Sequence, residues 1–231
     1  MNGERERRAG DAALAAAVAA VKRYQHARFA QTYADMLAHP RYARAAGFFL
    51  EDLYGPNDFS QRDAQFARVV PALVRLFPSE LVGTVLELGQ LHALSEQLDT
   101  AIAQALGSAA VDGRSYGAGW RAVGQPEARS RQIDLMLAVG GALDRYTRSR
   151  LLRNTLRLMR GPAQAAGLGA LQGFLENGFD TFRAMNGAQG FLSLIEQRER
   201  ALASELFAGG DAPWVSDHPR ADPAARSGQA P

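Results

Sequence analysis

The chain has 231 residues, 47% of them hydrophobic and 22% charged, with a formal net charge of +2. That length is enough for one domain with a sizeable core, and that charge is too small to argue by itself for nucleic acid or a membrane surface. Cysteine is absent and Lys22 is the only lysine, which excludes a disulfide framework, thiolate metal ligands and a cysteine nucleophile.

Residues 1–10 are charged and read as a disordered N-terminus. From Asp11 to Leu37 the residues Leu14, Val18, Val21, Gln25, Phe29, Thr32 and Met36 recur at three- and four-residue spacing, one face of a helix that Asp11 can cap. The alanine-rich run at 12–21 has the outline of a signal peptide. It continues with helical periodicity into Tyr24 and Phe29, however, so it is read as the first helix of a cytoplasmic protein. A second helix is expected from Arg41 to Tyr54, with Tyr42, Ala46, Phe49, Leu50 and Leu53 inward and Gly55-Pro56 as its stop. Ser60 and Asp63 form a capping-box pattern for a third helix that Pro71 should kink and Phe77-Pro78 should end.

Ser79 opens a long helix to about Leu106, stopped by Gly107. The glycine-rich residues 107–126 read as a loop with one short helical turn. Further helices are expected over Glu127–Tyr146, Arg150–Arg160, Leu168–Met185 and Ala188–Phe207, with Gly161-Pro162 and Asn186-Gly187 as stops. No segment alternates with a period of two. The reading is an all-α, single-domain bundle of about seven to eight helices over residues 11–208, and residues 209–231 are too poor in apolar side chains to order themselves. No apolar run approaches the length of about eighteen residues that a membrane span requires.

Three places carry candidate chemistry. In Phe48–Phe66, FFLEDLYGPNDFSQRDAQF, the carboxylates of Glu51, Asp52, Asp58 and Asp63 face a single base, Arg62. Such a turn can coordinate a hard cation or hold an acid/base pair, but its spacing matches no known ion loop, and helix capping with surface ion pairs explains it as well. On the long helix, Leu81, Val85 and Leu88 run down one side, and His92, Glu96 and Asp99, with Ser95, continue on its flank. A histidine one turn from a carboxylate suits metal binding or proton transfer, but a buried structural pair is the favoured reading, since buried polar groups normally find partners. No Glu-x-x-His or His-Glu-x-x-His motif accompanies it, and no metal site is assigned.

The third place is electrostatic. Six arginines and no acidic residue lie between Arg145 and Leu175. At about 100° per residue, Arg150, Arg153, Arg157 and Arg160 occupy an arc of about 80° opposite Leu151, Leu152, Thr155, Leu158 and Met159. The upstream stripe of Leu135, Val139, Leu143 and Tyr146 would lie on the arginine side of one unbroken helix. A break at Thr147–Ser149 is therefore expected, unless protein covers the arginine side, with the acidic stretch as the natural cover.

Phe48–Asp63 resembles the signature F-F-L-x-D-L-Y-G-P-x-D-F-x-x-R-D of a family of bacterial proteins carrying a domain of unknown function. LHALSE (Leu91–Glu96), LRLMRGP (Leu156–Pro162) and FLENGF (Phe174–Phe179) extend the resemblance over roughly Tyr42 to Leu206. It implies an all-helical module and transfers no catalytic role. Whether the chain is an enzyme is left undecided. The leading expectation is a non-enzymatic binding or interaction module, with a homodimer or another protein as partner. The alternative is a small-ligand or metal-binding protein or enzyme, its pocket built from His92, Glu96, Glu51, Asp52, Tyr54, Asp58, Arg62, Asp63 and the arginines Arg153, Arg157 and Arg160. Nucleic-acid binding through the 150–160 arginine face is the weaker alternative, because no aromatic residues interleave with the bases.

Overall fold

The computed structural model describes residues 10–53, 64–69, 79–107 and 110–211, and every regular element among them is helical. In chain order these are α1 (Ala12–Thr32), α2 (Ala34–Ala38), α3 (Ala43–Phe48) running into a π-helical turn (Phe49–Leu53), α4 (Ser79–Leu106), α5 (Gly113–Val123), α6 (Pro126–Thr147), α7 (Arg150–Ala165), α8 (Gly169–Ala184) and α9 (Gln189–Ala208). Residues 64–69 are helical as well. The expected features at Gly55-Pro56, Ser60–Asp63, Pro71 and Phe77-Pro78 lie outside the described residues. No described helix is long and apolar enough to cross a membrane.

The core has two apolar clusters, and α1 and α9 thread both. One gathers Phe29, Tyr33, Met36, Phe49, Phe182, Met185, Phe191 and Ile195. The other gathers Val18, Val21, Tyr24, Ile102, Tyr116, Trp120, Leu202 and Leu206.

Among the described residues, four arginines serve helix ends. The last carbonyls of a helix lack internal partners and sit at the negative end of its dipole, so a remote guanidinium can close them. Arg198 donates to Thr32 O (2.8 Å) at the end of α1. Arg41 donates to Met185 O (2.8 Å) and Gly187 O (3.0 Å) after α8. Arg68 reaches Ala166 O (2.7 Å) after α7, and Arg121 reaches Leu206 O (3.1 Å) in α9. Remote acceptors serve the opposite ends: Leu171 N donates to Gln65 Oε1 (2.9 Å), and Ala188 N donates to Asp144 Oδ1 (2.9 Å).

Four sequence expectations are corrected. The first helix does not run unbroken to Leu37; it bends at Tyr33 (φ −114°, ψ 22°). Arg198 takes the Thr32 carbonyl that a continuous helix would offer to the Met36 N–H. The second helix starts at Ala43, two residues later than expected, and changes to π winding over Phe49–Leu53. Its wider winding helps three consecutive side chains, Phe48, Phe49 and Leu50, all become buried. Phe48 stacks on Phe174 (5.4 Å between centroids), whereas Phe49 meets Phe191 (5.5 Å).

Residues 107–126 are not mainly loop: α5 occupies Gly113–Val123, opened by a capping box between Asp112 and Ser115. Its glycines serve contact, since a Cβ at Gly119 would stand 3.2 Å from Ile102 Cγ2. Finally, Gly161-Pro162 does not stop α7, which continues to Ala165. Gly161 and Pro162 are exposed, so water can satisfy the carbonyl that loses its donor to proline. The expected break does occur, with α6 ending at Thr147 and Ser149 Oγ accepting from Leu152 N (3.3 Å). Gly107, Asn186 and Gly187 adopt positive φ and end their helices as expected.

Candidate functional site

The polar residues of α4 lie in a buried seam shared with α1, α5 and α6. Lys22 pairs with Glu96, and Gln25 Nε2 donates to Asp99 Oδ1 (2.8 Å) and to Tyr116 Oη (3.2 Å). Both α1–α4 contacts span 74 residues, so the two helices run in the same direction where they meet. Gln132 Nε2 donates to Ser95 Oγ (2.8 Å) and its Oε1 accepts from Arg129 Nη1 (2.9 Å), while the Arg129 guanidinium lies 4.2 Å from the Trp120 ring centroid. Glu96, Asp99 and Arg129 are buried; the Lys22 side chain, 31% exposed, is the edge that reaches solvent.

A second buried group joins α1 to α9: Glu199 Oε1 accepts from Arg28 Nη1 (2.6 Å) and Tyr33 Oη (2.8 Å). Burial and the neighbouring Glu199 carboxylate push the Tyr33 hydroxyl well above its ordinary pKa, so it stays a donor.

Burial pushes the Asp99 carboxyl up, and Glu96 adds to the effect; Lys22, Arg129 and the Gln25 hydrogen bond oppose it. Asp99 therefore favours folding most when protonated. That contribution is complete below its unfolded-state pKa and is lost as pH rises through the folded-state value. Asp99→Asn, which keeps an acceptor for Gln25 and cannot ionise, is expected to gain stability relative to the wild type as pH rises. Urea midpoints across an acid-to-alkaline series check this, and a difference independent of pH would contradict it.

The arginine helix departs from its expected orientation. Leu151, Leu158 and Met159 are 76%, 78% and 48% exposed, although the amphipathic pattern makes them core. Instead Arg153 pairs with Asp180 (3.4 Å) and Arg160 with Glu176 (2.7 Å), both on α8. Arg160 holds the Glu176 carboxyl below its usual pKa. The line of α7 that turns inward carries half-buried Leu152 and Leu156 and buried Ala163. It lies between the two faces read from the pattern, so part of each is left at the surface. The arginine side is thus covered in part, but by α8 carboxylates among the described residues.

Of the other candidates, Glu51 is exposed and faces His26 Nε2 at 3.6 Å, and Asp52 accepts from Asn177 Nδ2 (3.2 Å). His92 is half-buried and Arg157 is exposed. Tyr54, Asp58, Arg62 and Asp63 lie outside the described residues. The named contacts thus divide the described candidates: Glu96 belongs to the α1 seam, Asp52, Arg153 and Arg160 to α8, and Glu51 to His26. Among the described residues no three His, Asp or Glu side chains converge as metal ligands would. Sequence reasoning missed Lys22, Arg28, Arg129 and Glu199. One signal was present: Gln25 interrupts an otherwise mainly apolar stripe on α1, at the level where α4 changes from leucines to acids.

No curated protein and no solved structure matches the chain. The resemblance read from the four sequence motifs implied a helical domain without a known activity. A family model described as a domain of unknown function (DUF8198) matches residues 4–213, a span that takes in every helix described above. The chain therefore belongs to the DUF8198 family.

Proposed function

We propose that the protein is a non-enzymatic interaction module that docks a helix of a partner protein on the outward side of α7. The observation that carries this reading is the exposure of Leu151, Leu158 and Met159 on one helix, because large exposed apolar side chains grouped on a surface mark binding sites more often than scattered ones do. Their i, i+7, i+8 spacing is that of a seam for another helix.

Charge argues for a partner other than a second copy. In an antiparallel two-fold packing of α7 on itself, the arginine border of one copy meets the arginine border of the other. The enzyme and small-ligand reading has less support, since Glu96 and Asp99 are already engaged by Lys22 and Gln25. Nucleic-acid binding needs the four arginines turned toward phosphates, and Arg153 and Arg160 are occupied by α8.

Selection from a displayed library of amphipathic helices tests the reading. The wild-type chain is expected to enrich leucine-seamed helices, and Leu151→Asp/Leu158→Asp to lose them while keeping its helical circular dichroism. No enrichment, or enrichment untouched by the double variant, would refute it. A concentration-dependent dimer dissolved by the same variant would assign the surface to a second copy instead.

A further inference from the structure

We infer that the helix docked on α7 carries carboxylates along one border, spaced seven residues apart. The inference rests on the docking reading above and specifies the chemistry of its partner. Leu151 and Leu158 are seven residues apart, and so are Arg150 and Arg157, each one position earlier. On an α-helix these pairs form two parallel lines about 100° apart around the axis, with members about 10 Å apart along it. All four side chains are exposed. An arginine side chain is long enough to lay its stem beside the leucine line while presenting its guanidinium to whatever lies on that line.

The electrostatic surroundings favour one sign. Six arginines and no acid stand between Arg145 and Leu175. Two carboxylates of the neighbouring helix, Glu176 and Asp180, pair with Arg160 and Arg153, and Arg157 adds to the positive field that holds the Glu176 carboxyl below its usual pKa. Arg150 and Arg157 thus border the apolar line with positive charge. A partner helix seated on Leu151 and Leu158 buries this border's edge, where a basic residue would be repelled and a glutamate would find a bidentate partner. The opposite border of the same line carries Thr155, Met159 and Pro162, which present no charge. The expected partner is therefore lopsided: an apolar seam, acids on one side, and neutral residues on the other.

Three synthetic helical peptides with one leucine seam and a single border of Glu, Gln or Lys provide the test, titrated against the full chain by fluorescence anisotropy at low salt. The Glu peptide is expected to bind on the order of tenfold more tightly than the Gln peptide, with the Lys peptide weakest. The gap should narrow as salt rises. Arg150→Glu/Arg157→Glu, at exposed positions, should reverse the order. Equal affinity for all three peptides, abolished by Leu151→Asp/Leu158→Asp, would overturn the acidic border and leave the docking reading standing. Binding by none of them, or binding that survives the leucine variant, would overturn both.

Discussion

Lys22→Met is expected to destabilise the protein by about 3 kcal/mol, because it removes a cation paired with the buried Glu96 carboxylate. The Glu96 side chain is only 6% exposed, so water has little access to replace the lysine. The pair itself need not contribute much net stability, since taking both charges out of water offsets most of their attraction. Lys22→Met/Glu96→Met should therefore recover most of the loss. Urea unfolding of the two single variants and the double variant forms a cycle that isolates the coupling. A Lys22→Met midpoint equal to wild type would show that Glu96 is held by other groups and that the lysine is incidental.

The larger expected effect is in the apolar core. Phe191 is fully buried and its ring meets both Phe49 (5.5 Å) and Tyr42 (5.7 Å). Phe191→Ala opens a cavity where α9 crosses the π turn, and a loss of about 4 kcal/mol is expected. The contrasting variant is Leu158→Ala on α7. If the amphipathic pattern placed Leu158 in the core, it would cost a comparable amount; exposed as it is, it should stay within about 0.5 kcal/mol of wild type. Equal losses for Phe191→Ala and Leu158→Ala in urea unfolding would contradict the orientation of α7.

The two helices that best separate local from tertiary information are α5 and α7. Around α5, the five glycines of residues 107–126 suggested a loop, because glycine disfavours an isolated helix by about 1 kcal/mol per residue. The capping box at Asp112 and Ser115 was readable, yet what secures the helix is the burial of Tyr116 and Trp120 against α1, α4 and α9, contacts far away in the chain. In α7 the opposite happened. The pattern was strong and the helix and the break before it were both legible, but the line that turns inward lies between the apolar face and the arginine face that the pattern defines. Amphipathicity says which residues share a face; it does not say which face meets protein when a neighbour supplies matching charge, as Glu176 and Asp180 do.

The candidate site divides in the same way. Glu96 and Asp99 were visible as acids on the flank of an apolar stripe, and Gln25 as a polar residue within another. Nothing local relates residue 22 to 96 or 28 to 199, because those pairings depend on how helices separated by many residues lie beside one another. By itself the sequence determined that the described chain is helical, where most helices start and stop, and that a break near Ser149 is expected unless protein covers the arginine side. These follow from backbone capping and side-chain periodicity, which act within a few residues. Only the tertiary structure decided that the acids of α4 face Lys22 and Gln25, that arginines close the ends of distant helices, and that Leu151 and Leu158 of α7 face outward while Leu152 and Leu156 turn inward. Each of those outcomes sets burial of one group against satisfaction of another across the whole fold, and that balance exists only once the helices are packed.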